Sequence, residues 1–463
     1  MTESERFLDP LSNIDIIDGI DVTTTILDPV VSNTSSCRFN IESRAFLQKD
    51  ARLSFNLHSE DADEGEVALN SISGGMGAIQ RIVLRLGTKV IHDIDYVGYV
   101  SARRECEKSL ERRSGREMFR YGSNPYWVYN SDGELEPSST EYKNMDGDND
   151  PSGFRMYISD DADQPTQICV PLSQLLPIFR NALASFPLYA LKNEYQMNLE
   201  VFWADPEEFC IVASIDAGIN GDPEAMPDIT ISSPQLVLNY VTYPDNITAL
   251  YDKQISSKEG YVVYYTDTIH TESHIPASTV SNTTMHRIQM SGHELQKLNV
   301  SVRQNHRSRW YARACSKDMP SKKFNIRIND SPIFSEDVEN QGWQYWLWQN
   351  SSDTQRLYLK NGQFSTQLNK VQSENVVQDN GLGHSYDLQG NLNWIVVDFR
   401  KDQRNPISFG NGVRVGLNPI EFQLSYAYDA TADPRSNSHY QLHFHSEISR
   451  ILQIQGGNVD VSF

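Results

Sequence analysis

The chain has 463 residues, 39% of them hydrophobic and 22% charged, a composition that excludes a mostly disordered polymer. Against 61 Asp and Glu stand 40 Lys and Arg, a net charge of -21. Phosphate neutralisation drives nonspecific nucleic-acid binding, so this balance argues against a chain that coats a genome. All-β domains commonly run about 200–250 residues, so two large β domains fit the length better than three average ones. The 22 Tyr, 18 Phe and 7 Trp favour pleated sheets, where large flat side chains pack well.

The opening sequence, MTESERFLDPLSN, has neither a basic region nor an apolar stretch, so no signal peptide is expected and synthesis in the cytosol follows. Residues 1–35 are rich in Asp, Ser and Thr and read as an N-terminal arm or extended segment outside the main sandwich. Alternation then dominates. Leu53, Phe55 and Leu57 alternate with polar residues, as do Ile82, Leu84 and Leu86, and a longer stripe runs through Tyr195, Met197, Leu199, Val201 and Trp203. Successive side chains on a strand point to opposite faces, so each pattern predicts a half-buried strand. Residues 93–120 are the best helix candidate; from Arg103 to Arg120 they hold seven basic and four acidic residues, a solvated face or an inward-facing contact. In PLSQLLPIFRNAL, Pro177 breaks a continuous helix into two short pieces, the second starting on that proline.

A domain break falls near residue 245, which gives one sandwich over 36–245 and a second over 246–463. The second half repeats the style at Leu298/Val300/Val302, Phe324/Ile326/Ile328, Ile420/Phe422/Leu424/Tyr426 and Leu442/Phe444. Trp394 to Val397 is continuously apolar and suits a strand covered on both faces. Asn361-Gly362 and Asn411-Gly412 mark turns. No run approaches 18 apolar residues, so no membrane span is expected.

The constellations that could carry chemistry have plainer explanations. Gly74-Gly75-Met76-Gly77 lacks the third glycine and the helix of a dinucleotide site, and reads as a loop. Asp146, Asp148 and Asp150 resemble a calcium loop, but Pro151 and Tyr157 stand where an EF-hand needs glycine and a bidentate Glu. Those aspartates, like Asp61, Asp63, Glu64 and Glu66, read as solvated loops. His443 and His445 share one face of a strand without an identifiable third ligand, so polar surface or interface residues are expected rather than a metal site. Cys37, Cys106, Cys169, Cys210 and Cys315 are scattered, form no C-x-x-C, and read as reduced and mostly buried. The six N-x-S/T sequons, without an entry signal, read as chance. Trp343, Trp346 and Trp348 serve either the core or a buried subunit contact, with the core as the default. No G-x-S-x-G, H-E-x-x-H or P-loop occurs, so no enzyme activity, cofactor or catalytic residue is expected.

Several segments are more specific. ICVPLSQLLPIFRNALASFPLYALKNEYQMNLEVFW resembles the stretch of double jelly-roll major capsid proteins in which a Pro-Leu turn and short helix precede a long strand. GAIQRIVLRLGTKVIHDIDYVGYV resembles the same family's strand, turn, acidic pair and tyrosine-bearing helix start, and EGYVVYYTDTIHTE with LQKLNVSVRQ is similar to the opening of its second roll. The likeness spans roughly residues 36–463 and is strongest to the polinton-like virus, virophage and adintovirus group of the adenovirus-like capsid lineage. It implies an all-β chain of two side-by-side, eight-stranded jelly-roll sandwiches with a few short helices. It further implies homotrimers with a pseudo-hexagonal outline that tile an icosahedral shell in the virion, alongside penton and minor capsid proteins. The rival is a two-domain carbohydrate-active β-sandwich protein, a lectin or a glycosidase with two buried carboxylates; a penton or minor capsid protein is a weaker third.

Overall fold

The computed structural model describes residues 19–60, 67–69, 74–98, 100, 127–129, 135–137, 158–180, 185–212, 228–275, 282–304, 321–339, 347, 394–401, 410–426 and 440–462. The first half opens with β1 (Asp21–Leu27), β2 (Val31–Ser32), β3 (Ser36–Ile41), β4 (Phe46–Gln48) and β5 (Arg52–Ser59). Its other main elements are β6 (Ile79–Leu86), β7 (Lys89–Asp95), β8 (Thr166–Pro171), α1 (Leu172–Leu175), α2 (Pro177–Arg180), β9 (Ser185–Phe186), β10 (Met197–Trp203) and β11 (Ile229–Thr242). Strands β8-β5-β11-β4-β9 form one sheet, with β1 added on β11; β2-β3-β10-β6-β7 form the facing sheet. Pairing is antiparallel throughout, as in Leu199 opposite both Phe39 and Leu84.

Helix α3 (Asp245–Ile255) leads to the second half: β12 (Tyr261–Ile275), β13 (Asn282–Ile288), β14 (Glu294–Gln304), β15 (Ser321–Ile328), β16 (Ser331–Pro332), β17 (Trp394–Asp398), β18 (Val413–Arg414), β19 (Ile420–Tyr426), β20 (Tyr440–Gln455) and β21 (Asn458–Ser462). Here β12-β20-β14-β17 make one sheet, joined by β18 and β21, and β13-β19-β15-β16 make the other. Each sandwich buries the apolar set of its alternating strands: Phe39, Phe55, Leu57, Leu84 and Leu199 in the first, Val300, Phe324, Phe422, Leu424 and Phe444 in the second. Burying each such side chain contributes about 1.5–3 kcal/mol.

Departures from the sequence reading have local causes. Asp21–Leu27, inside the segment expected to be an arm, is an edge strand paired over seven residues with β11. Its side chains are mostly exposed, which is why the sequence there carries little apolar period. Residues 93–95 belong to a strand, because Ile91 and Ile94 are drawn into the core, whereas Val97, Gly98 and Val100 are helical as expected; residues 101–120 lie outside the described residues. Gly74–Ala78 is no open loop but a fully buried 3-10 turn. The two-piece helix reading around Pro177 matches α1 and α2. Ile395, Val396 and Val397 are all buried, so β17 is covered on both faces as expected.

Phe422 is fully buried, 5.9 Å from the Phe324 ring and 5.5 Å from the Phe444 ring. Phe422→Ala is therefore expected to lower stability by about 3–5 kcal/mol, read as a lower denaturant midpoint with β-sheet content retained under native conditions.

Candidate functional site

A dense polar arrangement lies where the two sandwiches meet. Edge strand β7 of the first runs beside edge strand β12 of the second, and fully buried His92 projects from it. Its Nδ1 lies 2.7 Å from Asp267 Oδ1, and its Nε2 accepts the Ile178 N–H, at 3.1 Å, from α2. Because Nε2 accepts, a neutral His92 carries its proton on Nδ1 and donates it to Asp267. Arg450 Nε, from β20, stands 3.0 Å from the other carboxylate oxygen of Asp267. The Tyr265 hydroxyl donates to the Ile91 carbonyl at 3.1 Å, and burial, followed by the Asp267 charge, pushes its ionisation well above the usual range. At the rim, Lys89 Nζ lies 3.5 Å from Asp460 and Lys192 Nζ donates to Asn458. Turn Gly456-Gly457 docks on the first sandwich through Lys192 N–H to Gly457 O. A Cβ at Gly457 would sit 3.1 Å from Ala190 O, and its φ of +79° favours glycine.

Apolar contacts follow the same seam. The core of the first sandwich takes in Tyr261, Val263, Tyr265, Leu452 and Ile454 from the second, together with Ile247, Tyr251 and Ile255 of α3. Those three helical positions recur at i, i+4 and i+8, a one-faced helix signal legible in NITALYDKQI.

The register of the second sandwich gathers its alternating polar residues on one sheet face. Lys297 lies opposite Glu447 and Asp398, Asn299 opposite His445, and Ser301 opposite His443. His270 continues the row opposite His445. Lys297, Asn299, Ser301, His443 and His445 are all buried, so this face is not solvated. Asp398 is neutralised by buried Arg400, whose Nη2 is 2.7 Å from Oδ2. His270 Nε2 and His443 Nδ1 are 3.0 Å apart, the His270 ring lies 4.8 Å from that of His445, and Tyr96 of the first sandwich packs on His270 at 4.8 Å and His443 at 4.5 Å. Burial holds His270 down to about 4.

His443 and His445 thus belong to an interior seam, and His270, from the neighbouring strand, is the third histidine that the sequence did not place beside them. Among the described residues no group of His, Cys, Asp and Glu is arranged to hold a metal ion. Trp343, Trp346 and Trp348 lie outside the described residues, as do Asp146, Asp148, Asp150, the acidic residues 61–66 and Asn361-Gly362. Cys37 and Cys210 are buried free thiols, and Cys169 is half-buried. Ser273 Oγ meets His286 Nδ1 at 2.7 Å, but His286 Nε2 is engaged by the Thr284 hydroxyl and not by the carboxylate that would orient a catalytic base.

Compared by sequence, the chain matches no protein-family model and no curated protein. Its fold is matched over almost its whole length. A chain in the structure of the Sputnik virophage aligns with a TM-score of 0.60 at 10% identity, covering 97% of this chain and 90% of that one. The mavirus major capsid protein aligns at 0.55 and 13% identity, covering 97% and 92%, and the Faustovirus major capsid protein at 0.56 and 9%, covering 96% and 92%. The fold is the double jelly roll. At such identities the likeness is one of architecture, carried by strand order and not by shared side chains. The buried His92–Asp267–Arg450 chain links β7 of the first roll to β12 and β20 of the second.

Removing one partner of a buried ion pair typically costs about 3–5 kcal/mol because the other charge is left uncompensated. Asp267→Asn is expected to lose stability on that scale, since it leaves Arg450 without its carboxylate and sets an amide against the His92 N–H. Chemical denaturation checks the loss, and an earlier, separate transition for one roll would mark the junction as its origin.

Proposed function

We propose that the chain is a viral major capsid protein, a structural and non-enzymatic component of the virion shell. The observation that carries this reading is the full-length match of two rolls, in one chain and in one order, to chains of virus capsids. Two rolls locked side by side present a unit in which three chains supply six similar sandwiches, and a closed ring of six is the natural assembly of such a unit. The partners are other copies of the chain, first as a homotrimer and then as a lattice of trimers, with penton and minor capsid proteins closing the shell. The rolls divide near residue 245, the first taking in β1 from Asp21 as well as 36–245 and the second 246–463. Trp343, Trp346 and Trp348 are candidates for a contact between subunits, where aromatic anchors are enriched, with the core as the default for so large a side chain. The carbohydrate-active reading gains no specific support: the buried carboxylates Asp267 and Asp398 are each occupied by an arginine.

Purified protein is expected to run as a trimer by native mass measurement and to show a pseudo-hexagonal outline in negative stain. A chain that stays monomeric at micromolar concentration across salt conditions would overturn the reading. Hydrolysis of a glycan panel, abolished by a single carboxylate substitution, would move it to the rival class.

Each copy carries -21, so neighbouring trimers repel one another. The Debye length shrinks from about 30 Å at 0.01 M salt to roughly 8 Å at 0.15 M. Raising salt over that range is expected to promote assembly of trimers into shells, seen as rising light scattering, while native mass shows the trimer unchanged. Scattering that falls steadily with salt would mean that attractive ion pairs dominate the seams.

A further inference from the structure

The His270, His443 and His445 cluster lies beside the first roll, not within a single sandwich core. Three imidazoles from two strands are in contact there, and Tyr96, at the end of β7, is laid over two of them. Tyr96 adopts a φ of +53°, a conformation costly for a bulky residue, and its N–H is held by Asp95 Oδ1 at 3.0 Å. The seam therefore keeps the backbone in an unfavourable shape in order to seat this ring.

We propose that this three-histidine cluster is an acid-sensitive clasp between the two rolls, closed while the imidazoles are neutral and opening as they take up protons. The chemistry lies in the 3.0 Å contact of His270 Nε2 with His443 Nδ1. Such a bond holds one proton between two nitrogens, one donating and one accepting. A further proton on the accepting nitrogen turns it into a second donor, so the contact becomes repulsive. A second imidazolium on the touching His445 ring adds like-charge repulsion in a site with little water to screen it.

The neighbouring strands supply the surrounding charges. From β12 come Asp267, Glu272 and His274, with Glu272 opposite His443 in register and His274 3.9 Å from Glu272. From β20 comes Glu447, opposite Lys297 of β14, which in turn lies opposite Asp398 of β17. From β7 come His92, bonded to Asp267, and Asp95. Asp267 is taken up by Arg450, and Glu272 favours a charged His270, but burial outweighs it. With a folded value lowered from 6.5 to about 4, the open state binds more protons than the closed one between those pH values. Closure is thus lost as pH falls through that window, and His270 alone shifts the balance towards opening about 20-fold between pH 7 and pH 5. The clasp belongs to a single chain and does not depend on the capsid reading.

The test is hydrogen exchange on the intact protein at pH 7 and pH 5, corrected for the intrinsic rate. Protection of Lys89–Asp95 and Tyr261–Ile275 is expected to drop about 20-fold at pH 5, while Arg52–Ser59 and Ile229–Thr242 keep theirs. In His270→Gln the drop at the seam is expected to shrink to a few-fold, and in His274→Gln, whose side chain is exposed, to stay as in the parent. Equal seam protection at the two pH values, or the same drop in His270→Gln, would overturn the proposal. Should His270→Gln fail to fold, imidazole NMR titration of the parent decides. A His270 resonance titrating well below the ordinary imidazole range supports the clasp, and one titrating within that range refutes it.

Discussion

The arrangement of the two rolls rests on one buried carboxylate. Asp267 receives a neutral imidazole on one oxygen and a guanidinium on the other, and these come from different sandwiches. Taking a carboxylate and a guanidinium out of water costs several kcal/mol per ion, so the arrangement persists only where both partners are held in place. His92 is held by the Ile178 N–H at the start of α2, Arg450 by its place on β20 between two strands, and Tyr265 by the Ile91 carbonyl. Apolar contacts join the rolls along the same seam, but they are non-directional. Only the His92 hydrogen bond crosses between the rolls, and its direction sets their relative position there; Arg450 neutralises the carboxylate from the neighbouring strand of the same roll.

The same demand explains the buried polar face of the second sandwich. Its strands alternate as half-solvated strands do, yet Lys297, Asn299, Ser301, His443 and His445 are covered. Part of this face is paired, as Asn299 Nδ2 is with the His445 carbonyl at 3.1 Å and as Asp398 is with Arg400, while the buried Asn299 Oδ1 and Ser301 Oγ meet no hydrogen-bond partner among the described residues. At His270 and His443, where Tyr96 packs on it, this face meets the first sandwich.

This is also where the sequence ceased to be legible. Strands were readable wherever one face was apolar: Arg52–Ser59, Ile79–Leu86, Met197–Trp203 and Ile420–Tyr426 all fall on the stripes that announced them. So were the two short helices divided by Pro177, because proline acts locally. Whether a polar residue meets water or another domain has no local signature. His92 and Asp267 stand 175 positions apart, and nothing near either one marks it as the other's partner. The pairing of His443 and His445 on one face was readable, but His270 joins them only through a strand register that spans most of the second half. Asp21–Leu27 was opaque for the opposite reason, since an exposed edge strand buries too little to leave a period.

Strand Tyr440–Gln455 serves both hydrophobic cores: Leu442, Phe444 and Ile448 lie in the second, while Leu452 and Ile454 belong to the first. During synthesis the first roll therefore emerges from the ribosome with a gap in its interior that only residues translated much later fill. Its apolar wall, including Tyr251 and the residues around it, stays open to solvent or to other nascent chains throughout that interval. Domains that fold as they emerge are spared this exposure. A chain built this way closes both cores at nearly the same moment, after translation has passed β20, so shielding of the nascent chain by chaperones bears directly on its yield.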